Sequence, residues 1–273
     1  MQFHYTVSAA IRSAAVICGL VISLASSLLA QNQTPASDGN NSPSLNNIKQ
    51  IDLSHWKLTL PVDHNHSFHG HPQEVSAKKL GRGFQSKFFT VDAQGNLVFW
   101  CPVNGATTEG TSYPRSELRE MLEPGNPDRN WTAAGSHILT ARCQVQQVPS
   151  SRKVIIGQIH SASGKKKPLI KLQFYKNRIE ALVKHSPTQG KDIKLSWPNI
   201  SMNSEVNYEI RLQNEILSVT VNGMTQRQNI KNNDPEWMKQ TFYFKAGMYP
   251  QDNQGKATEG GQVSFSKLQV THQ

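Results

Sequence analysis

Three short stretches of this chain put ionisable and hydrogen-bonding side chains at alternate positions. YPRSELREM, Tyr113 to Met121, offers Arg115, Glu117 and Arg119; GQIH offers Gln158 and His160; YFKAGMYPQ, Tyr243 to Gln251, offers Lys245, Tyr249 and Gln251. On a strand, alternate side chains share one face. Charged groups make a poor core there, but a good floor for a groove that holds an anion. Arg115 can take a carboxylate in a bidentate pair, with Gln158 as a second donor. His160, near pKa 6.5 if unperturbed, and Tyr249 can move protons. Glu117, between two arginines, suits orienting them by ion pairing better than direct catalysis.

The elements that must position these groups read as strands. Between the polar residues stand Leu118, Ile159, Phe244 and Ala246, which would point into a core if the sheet were half buried. SHILTARCQV alternates Leu139, Ala141 and Cys143 against Ile138, Thr140 and Arg142. In LIKLQFYKNRIEALVK, Ile170, Leu172 and Phe174 oppose Lys171, Gln173 and Tyr175. NYEIRLQNEILSVTVNG reads as a hairpin, and QVSFSKLQV closes the chain. Many short alternating segments with turn signals between them predict an all-β sandwich of two antiparallel sheets. Asp234 followed by Pro235 predicts one short helix, with Asp as N-cap and Pro at the first helical position. One domain is expected over 50–273.

The 273 residues carry a formal net charge of +10. A basic surface favours polyanions: nucleic acid, anionic membrane or acidic polysaccharide. Residues 1–30 hold Arg12 as their one Lys, Arg, Asp or Glu, followed by an apolar run from Ala14 to Ala30. This is the pattern of a secretory signal, cleaved after Ala25 or Ala30. A retained anchor is disfavoured because the run is short for a span. Residues 31–49, rich in Gln, Asn, Ser and Pro, predict a flexible linker. Past the signal two cysteines remain, Cys101 and Cys143. One disulfide and two buried free thiols are both open readings.

RSELRE, QIH and YFKAGMYPQ resemble the three signature blocks of the alginate lyases of polysaccharide lyase family 7, and they occur in that family's order. SHWKLTLPVD and CPVNGATT are similar to further family stretches. The resemblance implies a β-jelly-roll with an open cleft over one concave sheet. It implies cleavage of alginate, a uronic acid polymer, by β-elimination. Matched by motif position, the implied catalytic residues are Arg115, Gln158, His160 and Tyr249. Arg119, Glu117, Lys245 and Gln251 fall with the substrate-binding positions. The chain departs from the pattern at Pro250, where the family usually has Asn. The implied partner is the anionic polysaccharide itself, with neither metal nor cofactor, since Arg115 and Gln158 can neutralise the carboxylate. The Ile in QIH is associated in the family with activity on guluronate-containing blocks. The protein is expected to be secreted or periplasmic, endolytic, monomeric and without stable membrane association.

Competing readings are weaker. A noncatalytic lectin-like sandwich would need Arg115 and Lys245 but not both His160 and Tyr249. A glycoside hydrolase would need two carboxylates in one cleft, whereas Glu117 and Glu120 face opposite ways on a strand. Nucleic-acid binding lacks interleaved aromatic residues. His64, His66, His69 and His71 lie in a loop-like stretch that reads as solvated rather than metal-binding. Lys165, Lys166 and Lys167 form either a solvated turn or a cationic lip of the cleft.

Overall fold

The computed structural model describes residues 51–273. The secretory signal over 1–30 and the linker over 31–49 lie outside the described residues. From residue 51 onward the chain forms an antiparallel β-sandwich of two sheets. From edge to edge, the first sheet runs β11 (Asp192–Trp197), β10 (Ile179–Lys184), β9 (Pro168–Tyr175), β8 (Lys153–Ser161), β15 (Thr241–Pro250), β5 (Ser116–Glu120), β1 (Trp56–Thr59) and β2 (Glu74–Val75). A short β6 (Trp131–Thr132) also pairs with β15. The second sheet runs β14 (Met224–Asn229), β13 (Ile216–Val221), β12 (Val206–Gln213), β7 (Ser136–Gln147), β16 (Gly260–His272), β4 (Leu97–Pro102) and β3 (Phe89–Val91).

Alternation decides which face each sheet buries. Leu118, Ile159, Phe244 and Ala246 are 0% exposed, facing inward as their parity demands. From the opposite sheet Leu139, Ala141 and Cys143 join the same core. Phe99 links the aromatic part of it, edge-on to Phe89 at 5.1 Å and to Phe265 at 5.6 Å. Each such side chain contributes roughly 1.5–3 kcal/mol by leaving water. The outer, polar face of the first sheet is thereby left for solvent or a ligand.

Tight turns connect the hairpins. The stretch from Leu169 to Lys184 bends at Lys176 and Asn177, both at positive φ, and so forms two strands, β9 and β10. Asn214 and Glu215 make the same bend between β12 and β13. Two consecutive positive-φ residues match the right-handed twist of the strands they join. Pro235–Lys239 forms a 3-10 turn capped by Asp234, whose side chain accepts from the Glu236 N–H. Ala77–Gly81 and Ile230–Asn233 add two short helices that alternation did not reveal.

Cys101 and Cys143 are free and buried. Cys101 pairs across to Gly261 and Cys143 to Phe265, so β16 runs between them. Two strand spacings amount to about 10 Å, beyond the reach of a disulfide. Burial raises both thiol pKa values, so the pair behaves as small apolar filler.

Candidate active site

The register places the sequence's three polar strands side by side. β15 lies between β8 and β5. Lys245 stands opposite Gln158 on one side and Arg119 on the other; Tyr243 is opposite His160, and Gly247 is opposite Glu117. Arg115 and Arg119 are four positions apart, yet Gln158 and His160 from β8 and Lys245 from β15, far along the chain, are brought beside them. On β8 the strict alternation breaks. Gly157 and Ile156 both face inward, with a register shift against β9 and β15. The Tyr208 hydroxyl of the other sheet donates to the Ile156 carbonyl at 3.0 Å, and a Cβ on Gly157 would meet it at 2.9 Å. This bulge re-aims the strand beside the polar groups.

Glu117 is the hub. It is 0% exposed. It receives Gln158 Nε2 at 2.5 Å, Lys245 Nζ at 2.5 Å and Arg115 Nη1 at 3.3 Å. Burial by itself would push its carboxyl up; Lys245 and Arg115 outweigh that and hold it below the usual carboxylate range. Lys245 shows the reverse balance. Burial, then the Arg115 charge, push it down to about 8 although Glu117 opposes them. Gln158 keeps its second amide hydrogen, and Lys245 its remaining donors, for another acceptor.

Arg115 is buried and its guanidinium stacks on the Tyr249 ring, 4.0 Å from the centroid. Its Nε and Nη2 have no hydrogen-bond partner in the protein. Those two nitrogens form one edge of the guanidinium, the edge that receives a carboxylate with two parallel bonds. An unpaired buried donor costs about 1–3 kcal/mol, a penalty that a carboxylate ligand would remove. Tyr249 is also edge-on to Tyr113 at 6.4 Å. Burial raises its phenol pKa against the lowering effect of Arg115, so it is protonated at neutral pH.

His160 presents a defined tautomer. Its Nδ1 lies 2.9 Å from the Ser161 carbonyl, which can only accept, so Nδ1 carries the hydrogen and Nε2 the lone pair. Burial, then Lys245, lower its pKa to about 4. The unperturbed value near 6.5 does not apply here: the ring stays neutral well into acid. Tyr243 stacks on it at 5.4 Å and 20°, with its hydroxyl 3.2 Å from Nδ1.

Three of the expected substrate contacts have other partners than foreseen. Glu117 is sealed beneath the floor, where it holds Arg115, Lys245 and Gln158. It does not orient Arg119. The Arg119 guanidinium instead donates to the carbonyls of Glu120 and Pro127 and to Asn130 Oδ1, and it stacks on Tyr243 at 4.0 Å. Gln251 folds back toward the carbonyls of Tyr249 and Pro250, at 3.5 and 3.4 Å.

A cleft of about 580 Å³ opens over this face, lined by Arg115, Arg119, His160, Tyr243 and Lys245. Lys165, Lys166 and Lys167 form one wall and Thr108–Thr111 another, so the lysines are a lip of the cleft rather than a remote turn. Tyr243 was missed as a site residue, although its parity with Lys245 was the signal that could have found it. Among the described residues no group of three or more His, Cys, Asp or Glu is placed to hold a metal ion.

The alginate lyase family model matches residues 51–272. An alginate lyase of Klebsiella pneumoniae is 27% identical over 82% of this chain and 90% of its own length. Among solved structures, alginate lyase A1-II', a member of polysaccharide lyase family 7, is 37% identical with a TM-score of 0.76, covering 83% of this chain and 98% of that one. Alginate lyase PA1167 from Pseudomonas aeruginosa is 38% identical with a TM-score of 0.73, over 82% of this chain and 100% of that one. Variants of A1-II' have been solved in complex with substrate (GGMG) and with product (GGG).

Proposed function

This chain belongs to the alginate lyase family and is a polysaccharide lyase, and from that premise we propose that it cleaves alginate internally, acting on guluronate-containing blocks by β-elimination at the Glu117-centred site. The observation that carries the reading is the Arg115 guanidinium: buried, stacked on Tyr249, and presenting Nε and Nη2 without a protein acceptor. A uronate carboxylate would supply the pair of acceptors that this edge lacks.

The reaction begins at C5, whose hydrogen is weakly acidic because it adjoins the carboxylate. Removing it places further charge on an anionic group. Arg115, the free amide hydrogen of Gln158 and Lys245 supply donors where that charge grows. Losing one such donor typically costs about 3 kcal/mol of transition-state stabilisation. His160 Nε2 takes the proton. The O4–C4 bond then breaks as the C4=C5 double bond forms, and Tyr249 returns a proton to the departing O4. In guluronate the C5 hydrogen and O4 lie on opposite faces of the ring. A neutral base and a protonated phenol as separate groups suit that arrangement. For mannuronate both lie on one face, and Tyr249 would serve alone.

Internal cleavage is supported by position. β8, β15 and β5 are the central strands of their sheet, and polar side chains continue on both sides of them, Lys171 and Lys184 on β9 and β10 and Lys57 and Glu74 on β1 and β2. Polymer can therefore extend both ways from the reacting bond. The apolar run at 14–30 supports export, and the basic cleft supports action on a polyanion. The test is incubation with guluronate-rich and mannuronate-rich alginates. The expected result is new absorbance at about 235 nm from the unsaturated product, faster on the guluronate-rich polymer, with a rapid drop in viscosity. Binding without new absorbance would leave only a lectin.

A further inference from the structure

The arrangement around Glu117 has a counterpart on the same outer face. Arg115 and Glu117 are two residues apart, as are Arg178 and Glu180. Glu180 is 2% exposed. It accepts Gln173 Nε2 at 2.6 Å and has Lys194 Nζ at 3.5 Å and Arg178 Nε at 3.8 Å. A buried glutamate thus again gathers a glutamine, an arginine and a lysine. Arg178 also lies over an aromatic ring, Tyr175, at 5.8 Å, as Arg115 lies over Tyr249.

Register ties the two clusters together. Tyr249 stands opposite Ile155, Ile155 opposite Gln173, and Gln173 opposite Glu180. They occupy one row running straight across the strands, three strand spacings or about 14 Å long. A polymer crossing the sheet over Tyr249 meets the second cluster within a few sugar rings. The environments differ in a useful way. The side chains of Arg115 and Lys245 are only 7–8% exposed, whereas those of Arg178 and Lys194 are 42% and 56% exposed. Neither cation lies close enough to Glu180 to spend its donors fully. No histidine accompanies them, so the site has donors for a carboxylate and a ring to stack on, but no base.

We propose that Arg178, Lys194 and Tyr175, organised from beneath by Glu180, form a second uronate-binding subsite that holds a ring of the same polymer away from the reacting bond. This rests on the polyuronate reading above. The subsite anchors long chains and sets the length of the product left on that side of the cleft.

The test uses the protein carrying Tyr249→Phe to suppress turnover, with calorimetric titration by purified guluronate hexamer and trimer. Adding Arg178→Ala and Lys194→Ala is expected to weaken hexamer binding by roughly tenfold to a hundredfold, the loss of one or two charge-assisted hydrogen bonds. The trimer is expected to change by less than about threefold, within the spread of rim-charge effects. Arg178→Lys with Lys194→Arg keeps the counter-charges of Glu180 and is expected to keep hexamer affinity. Arg227→Ala, on the outer edge strand β14, controls for net charge. Hexamer affinity unchanged by the double alanine variant, or lost equally for both oligomers, overturns the subsite and leaves the lyase standing. Failure of the Tyr249→Phe parent to bind either oligomer overturns the alginate reading itself.

Discussion

β5 carries two buried carboxylates three residues apart, Glu117 on its cleft face and Glu120 on its core face. Glu117 is surrounded by cations, Arg115 and Lys245, and by the Gln158 amide. Glu120 receives neutral donors: Trp131 Nε1 at 3.1 Å and the Phe244 N–H at 2.8 Å, with His272 on its other oxygen. The first therefore holds charged side chains whose spare donors face a ligand. The second joins three elements, β6, β15 and the C-terminal strand β16, and presents nothing outward. The same side chain on the same strand becomes part of a reaction site or part of the frame according to which face its parity selects.

The sharpest way to test that division is to remove the proton carriers above Glu117. His160→Ala and Tyr249→Phe are each expected to lower turnover by about 10²–10⁴-fold, with unchanged thermal melting. Full activity in either folded variant would misplace the chemistry. Glu117→Gln is expected to lower turnover by about 10²–10³-fold, because Arg115 and Gln158 lose their anchor, and to destabilise the fold by about 3–5 kcal/mol through two uncompensated cations. Denaturant melts and steady-state kinetics on the same sample read both effects. Glu120→Gln is expected to lose about 1–3 kcal/mol of stability with turnover within about threefold. A loss of turnover as deep as that of Glu117→Gln would break the separation of the two faces.

The smallest effects lie in pH dependence. His160 must be neutral and Lys245 charged, so activity is expected to rise as pH climbs through about 4 and to fall above about 8. Lys245→Arg keeps its charge at any pH and should remove the alkaline limb, whatever its cost to the rate. His160 also couples to stability. Its folded pKa is below the unfolded value, so the unfolded chain binds more protons between about pH 4 and 6.5, and stability falls as pH drops through that window. Relative to the wild type, His160→Asn should flatten this stretch of the stability curve.

Alternation carried much of the fold. Leu118, Ile159, Phe244 and Ala246 were legible as core because period two leaves no other face for them. β14 was not legible: Met224–Asn229 is an edge strand with no buried side chain, so it lacks the apolar signal. The bulge at Ile156 was hidden too, since two inward residues in succession look like ordinary hydrophobic sequence until a neighbouring strand sets the register. Within the site, residue types and parity indicated Arg115, Gln158, His160 and Tyr249. Partners did not follow from them. Glu117 appeared to sit between two arginines, yet cross-strand pairing gave it Lys245 and Gln158 while the loop at 127–130 took Arg119.

The amino-acid sequence alone determined which side chains share a face, because that depends only on the two-residue repeat of an extended backbone. Tertiary structure alone decided which strands are neighbours, how deeply each charge is buried and therefore which way each pKa moves. Those quantities depend on distances between segments more than a hundred residues apart, and on how much water the second sheet and the flanking loops exclude.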